Sequence, residues 1–193
     1  IAPLRTIWDV HPTFWLPGVG LRERANADRV PYDEWAKTGF LKTTDGPSVD
    51  YDFVAQHLWD VSQRCDIRKI AFDRWNFEHL KPWLLKAGFS EWQIEGDNAI
   101  FEPMGQAFKS MSPALRDLET AILNENLAHG GHPVMNMCAA NAVVQFDAVG
   151  NRMLAKRKSR GRIDGMVALA MAMSVAGTWT GSGVVIDHMA MIG

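Results

Sequence analysis

Two aspartates in this 193-residue chain stand where a carboxylate can do chemistry. Asp73 closes the compact apolar run IRKIAFD and is followed at once by RWNFEHL, so it sits where a strand ends and a helix is about to begin. Ligands in open α/β sheets gather beyond the carboxyl ends of strands, which makes an acid there a candidate ligand or catalyst. Capping of the following helix is the competing structural role. Asp164 lies in KRKSRGRIDGMVALAMAMSVAG, at the mouth of a helix-spaced apolar run and between Gly161 and Gly165. The free amides and dipole of a helix start favour a carboxylate there, so capping competes for this residue as well.

The surroundings of Asp164 favour a functional reading. Arg152, Lys156, Arg157, Lys158, Arg160 and Arg162 precede it with no acid among them. Such a run is usually a solvated face. Here it forms a local cationic strip in a chain of net charge −2 and delivers the backbone directly to an acid. That arrangement suits a polyanion laid across a metal site, with cations holding phosphates and carboxylates holding metal at the scissile one. Two Mg²⁺ or Mn²⁺ ions roughly 3.5–4 Å apart can stabilise both the attacking and the leaving oxygen of a phosphodiester, and they need shared hard oxygen ligands. Asp73 and Asp164 are accordingly the expected catalytic and metal residues, and the six cations the expected phosphate-binding strip.

Other chemistry is excluded or weak. HGGHP presents His129 and His132 without a partner pair at zinc-finger spacing, so its glycines read as a turn. No GxxxxGK[ST] and no GxSxG occurs, which removes a phosphate loop and a nucleophile elbow. Cys65 and Cys138 fall in no metal or redox spacing and read as buried reduced thiols. The apolar run MVALAMAMSVAG is too short to span a bilayer, and no secretory signal is visible, so a cytosolic setting is expected. The net charge leaves only a local patch for nucleic acid.

The elements that must position these residues form an α/β pattern. LRTIWDVHPTFWL alternates as extended structure; LRERANAD and PYDEWAKTG are short helices broken before Pro31; FLKTT is a strand. Asp50 or Asp52 caps a helix over about 51–65 with Phe53, Val54, Leu58 and Val61 on one face. Residues 67–73 form a strand, NFEHLKPWLLKAG a helix that Pro82 kinks or restarts, and 94–102 a second strand-like stretch. Ser112 as N-cap with Pro113 at the first position marks a further helix. A short helix, a hairpin turning near VGN and the final helix near Arg162 or Ile163 follow, then a strand-like tail after GTWTGSG. One domain with a mixed sheet is expected.

In this order, VDYDFVAQHL, IRKIAFDRW, EPMGQAFKSMSPALRDLE, HGGHPVMNMCAANAVV and SRGRIDGMVALAMAM, with FWLP and RVPYDEWAKTGFL before them, resemble the C-terminal nuclease domain of the tailed-bacteriophage terminase large subunit over roughly residues 8–176. The resemblance implies a ribonuclease-H-like mixed sheet flanked by helices, with Mg²⁺ or Mn²⁺ held in a two-metal site. Matched by motif, Asp73 in AFDRW is the acid at the end of the central strand and Asp164 in GRIDG the acid on the last helix. It further implies cleavage of concatemeric double-stranded DNA during packaging in the bacterial host cytoplasm, with portal and small terminase subunit as partners and a separate ATPase domain. The family also carries an aspartate on an opening strand in a G-D-x-S-like segment. No residue here matches it and Asp9 in IWDVH is not assigned to it, so the expectation is either a fragment lacking its first strand or strands, or a longer molecule that carries them outside this sequence. A nuclease-like module used only for docking to DNA or capsid is the alternative.

Overall fold

The computed structural model describes residues 7–75 and 77–177 and the backbone of 185–191. Strand β1 (Trp8–Pro17) turns Val10, Phe14, Trp15 and Leu16 into the core. Helix α1 (Leu21–Asp28) stops at Arg29, whose backbone is left-handed, and α2 (Tyr32–Lys37) restarts after Pro31, because the residue before a proline is pushed out of helical geometry. Strand β2 (Lys42–Thr44) follows. Helix α3 (Tyr51–Ser62) is capped by Asp50, whose Oδ1 accepts the Asp52 N–H at 2.9 Å. Its buried stripe is Val54, Ala55, Leu58 and Val61, whereas Phe53 is exposed. Phe53 sits about 100° around the helix from Val54, which takes it off that face.

Strand β3 (Ile70–Asp73) leads to α4 (Phe77–Ala87), a single helix that runs through Pro82. The expected strand near 94 is instead the short helix α5 (Glu91–Ile94), started by Gln93 Oε1 accepting the Ser90 N–H at 2.9 Å, before β4 (Phe101–Met104). Helix α6 (Phe108–Leu123) begins five residues earlier than its Ser-Pro signal, with Pro113 inside it. Ser112 is buried rather than capping: its Oγ accepts from the Arg152 N–H (3.2 Å) and from Arg116 Nη2 (3.0 Å). These tertiary bonds outweigh one local start signal. Strand β5 (Leu127–Ala128), α7 (Pro133–Asn141), β6 (Val144–Phe146), β7 (Arg152–Leu154), α8 (Asp164–Ala176) and β8 (Val185–Met191) complete the order.

β1 pairs in parallel with β2, β5 and β8, β3 pairs in parallel with β4, and the antiparallel pairing is confined to the β6–β7 hairpin. Among the described residues, then, the strands form a parallel sheet, a parallel pair and a hairpin, not one mixed sheet. The larger core gathers β1, α6, α7 and α8; a second lies between α3, α4 and the β3–β4 pair, where the rings of Phe72 and Phe77 stack 3.7 Å apart. No helix among the described residues is long and apolar enough to cross a membrane.

Candidate nucleic-acid and metal site

Asp73 ends β3, and its parallel partner Met104 ends β4, so the chains leaving both strands emerge side by side. The connection from β4 therefore brings Gln106 to Asp73, where Gln106 Nε2 donates to Oδ2 at 2.7 Å. Asp73 Oδ1 accepts the Trp75 backbone N–H at 3.2 Å, and the residue is half-buried. Gln106 was missed in the sequence; its signal is the PMGQ break immediately after a strand that pairs with β3.

Asp164 is the first residue of α8, but its carboxylate does not cap that helix: Ile163 is the N-cap, with no side-chain cap bond. Asp164 Oδ1 instead accepts from Lys156 Nζ at 3.2 Å, with the carboxylate the more sheltered partner. The helix can start this close to β1 because Gly165 carries no side chain. A Cβ there would lie 2.9 Å from two Phe14 ring carbons and 3.2 Å from Cys138 Sγ. Burial pushes the Cys138 thiol up to about 11, so it stays protonated.

The six cations do not act alike. Arg152 is drawn into the fold: Nη1 donates to Glu119 on α6 at 2.6 Å and the guanidinium lies 5.8 Å from the centre of the Phe146 ring. Arg162 Nε donates to Asp28 Oδ2 at 3.1 Å, and the fully buried Tyr32 donates its hydroxyl to the same oxygen at 2.9 Å. Burial, and then the bond to Asp28, raises the Tyr32 phenol to about 12. Lys156 is engaged by Asp164. Arg157, Lys158 and Arg160 stand in solvent with no ion pair among the described residues. The turn that displays them is closed by Ser159, whose N–H and hydroxyl both bond the Ala155 carbonyl.

α8 packs on β3, and Met104 meets it at Ser174 (Oγ–Sδ 3.3 Å), roughly 15 Å along the helix axis from Asp164. No described hydrogen bond or ion pair joins Asp73 to Asp164. Among the described residues no group of three or more His, Cys, Asp and Glu side chains could hold a metal ion. Both aspartates offer hard oxygen donors with lone pairs to spare, which fits an Mg²⁺ or Mn²⁺ that keeps water and takes one or two carboxylates and a phosphate. They do not make an all-protein cage. His132 packs between Phe14 and Phe40 (centroids 5.2 Å from each), and burial, then His129, lowers its pKa. Cys65 is exposed rather than buried, because it falls just beyond the end of α3.

A parallel strand pair with an acid at its end, a second acid at a helix start and an exposed cationic turn beside it are carried on an α/β domain. The terminase large subunit endonuclease domain model matches residues 15–178, and the chain belongs to that family. It is 45% identical over 170 residues to the terminase large subunit of Enterobacteria phage HK97, covering 88% of this chain and 32% of the relative. It is 26% identical over 195 residues to protein YmfN of Escherichia coli strain K12, covering 96% and 40%. The crystal structure of the HK97 bacteriophage large terminase superposes with a TM-score of 0.75 at 43% identity, over 83% of this chain and 32% of that one. The chain thus spans about a third of the length of the HK97 relative.

Proposed function

We propose that this domain is the metal-dependent endonuclease of a phage terminase large subunit, cutting double-stranded concatemeric DNA during genome packaging, on a ribonuclease-H-like scaffold. The observation that carries the reading is Asp164, held at a helix start against the first lysine of an exposed cationic turn. Arg157, Lys158 and Arg160 receive backbone phosphates, which is a sequence-independent contact. Asp164 and Asp73 serve as carboxylate ligands, Gln106 orients Asp73, and Lys156 holds Asp164 until metal takes its place. Bound Mg²⁺ or Mn²⁺ would supply charge stabilisation at the attacking and leaving oxygens, and a two-metal arrangement shared by both acids would further need the end of β3 and the start of α8 to close on one another. Portal, small terminase subunit and the bacterial cytoplasm are the partners and setting this role requires.

The test is nicking of supercoiled plasmid with Mn²⁺, by this chain and by a chain extended at its N-terminus. Asp73→Asn and Asp164→Asn should abolish cutting while leaving DNA binding and the unfolding temperature near wild type. Full retained cutting by either variant would remove that residue from the assignment. Neutralising Arg157, Lys158 and Arg160 together should weaken binding to all sequences and reduce the slope of log K against log salt by about 2–3.

One observation favours a second reading, in which the domain docks on DNA or capsid without cutting: each aspartate already has a partner within the protein, and no group of three or more acids or other metal-binding side chains lies together among the described residues. Thermal unfolding with Mn²⁺ against EDTA separates the two, because a ligand site gains stability by mass action and a pair of internal acceptors does not.

A further inference from the structure

Asn141 ends α7, far from both aspartates in sequence, and neither the motif reading nor the proposed chemistry uses it. Its Nδ2 donates to the Arg162 backbone carbonyl at 3.3 Å, two residues before Asp164. Gly161 lies against the same amide: a Cβ there would come 2.7 Å from Asn141 Nδ2 and 3.2 Å from its Cγ. The Arg162 side chain leaves in another direction, to Asp28 and through it Tyr32. The other end of the turn is also fastened, since the Ala155 N–H bonds the Val143 carbonyl at 2.8 Å and Leu154 and Ala155 are buried. Between these anchors only Lys156, Arg157, Lys158 and Arg160 project as exposed side chains.

We infer that Asn141 and Gly161 form a backbone latch, with Arg162 as its side-chain bolt, that fixes the cationic turn and the entry to α8 in one geometry. Asn141 is a positioning residue: it acts on Asp164 through the Arg162 carbonyl. Arg162 is therefore an internal fastener, and the phosphate-facing set is reduced to its exposed neighbours. Gly161 leaves the space this amide occupies: a Cβ there would meet Nδ2 at 2.7 Å and displace the Asn141 amide from the carbonyl it holds. The inference about the turn stands on geometry alone; its consequence for metal rests on the proposed role of Asp164.

The experiment uses two readouts on the 193-residue chain. The first is metal-free: the rate at which trypsin cuts after Arg157, Lys158 or Arg160 under native conditions. Asn141→Ala should raise that rate about fivefold, the factor set by one hydrogen bond of ordinary net strength, with little change in global unfolding temperature. The second is Mn²⁺ affinity by calorimetry, which should fall about tenfold, as when an outer-shell partner of a metal ligand is lost. Gly161→Ala should reproduce both effects, and it carries the test by itself if Asn141→Ala does not fold. In the double variant the new methyl meets no amide, so its turn should be cut no faster than in Asn141→Ala alone. Wild-type cutting rates in the folded single variants, or additive acceleration in the double, would overturn the latch. Faster cutting together with wild-type Mn²⁺ affinity in Asp164→Asn would leave the latch standing and remove the metal role of Asp164.

Discussion

Gly165→Ala measures how closely α8 is seated on β1, and with it the placement of Asp164. The added Cβ would sit 2.9 Å from Phe14 Cε1 and Cζ and 3.2 Å from Cys138 Sγ. Neither neighbour can retreat into solvent: Phe14 and Cys138 are essentially fully buried, and the Phe14 ring is backed by His132 at 5.2 Å. Overpacking a close-fitted core costs typically 1–3 kcal/mol. Alanine returns up to about 1 kcal/mol in helix propensity, so the net loss is about 1–2 kcal/mol. In a domain of this size that lowers the unfolding temperature by about 2–8 °C. Calorimetric melting of Gly165→Ala, Phe14→Leu and the double variant forms a cycle in which the smaller ring should absorb the new methyl, giving a coupling of at least about 0.5 kcal/mol. An unchanged or raised melting temperature, or strict additivity, would refute the close approach of helix and strand.

Two further outcomes follow from the side-chain environments. His57 lies between Thr13 (Oγ1–Nε2 3.4 Å) and Lys42 (Nζ–Nδ1 3.3 Å), and burial, then the Lys42 charge, lowers it to about 4. The unfolded chain binds its proton near pH 6.5 and the folded chain only near 4, so stability should fall as pH drops through that window. The loss is on the order of 1–3 kcal/mol, and melting curves of His57→Gln against wild type from pH 7 to 4 should show a shallower decline in the variant. Lys156→Met frees Asp164 Oδ1 from its internal cation. Mn²⁺ affinity by calorimetry should then rise several-fold, and a fall would mean that Lys156 supports the site instead of competing for it.

Features whose cause is local were legible in the sequence. Alternation in IWDVHPTFWL gave β1, the Asp50 cap gave α3, and the placement of Asp73 and Asp164 at the ends of apolar runs carried through to a strand end and a helix start. What escaped was set by contacts distant in sequence. Ser112 and Pro113 carry a sound start signal, yet Ser112 is enlisted by Arg152 and Arg116, and the helix begins at Phe108. Gln106 meets Asp73 only because β3 and β4 run in parallel with Asp73 opposite Met104. A pairing register of that kind has no local signature.

The cationic run shows why charge patterning alone cannot define an interface. Six like charges within eleven residues read as one strip, but the partners of Arg152 and Arg162 lie 33 and 134 positions away, on α6 and α1. Burying an arginine is tolerable only when an acid meets it, so each of these two became a fastener wherever the fold offered one. Lys156 was claimed by Asp164, the acid at the end of its own turn. Under the proposed function, the cations left for phosphate are those of the run that have no acid partner among the described residues. The exposed charge of this turn is thus a remainder, fixed by the tertiary structure, and its three members, Arg157, Lys158 and Arg160, lie between two fastened ends.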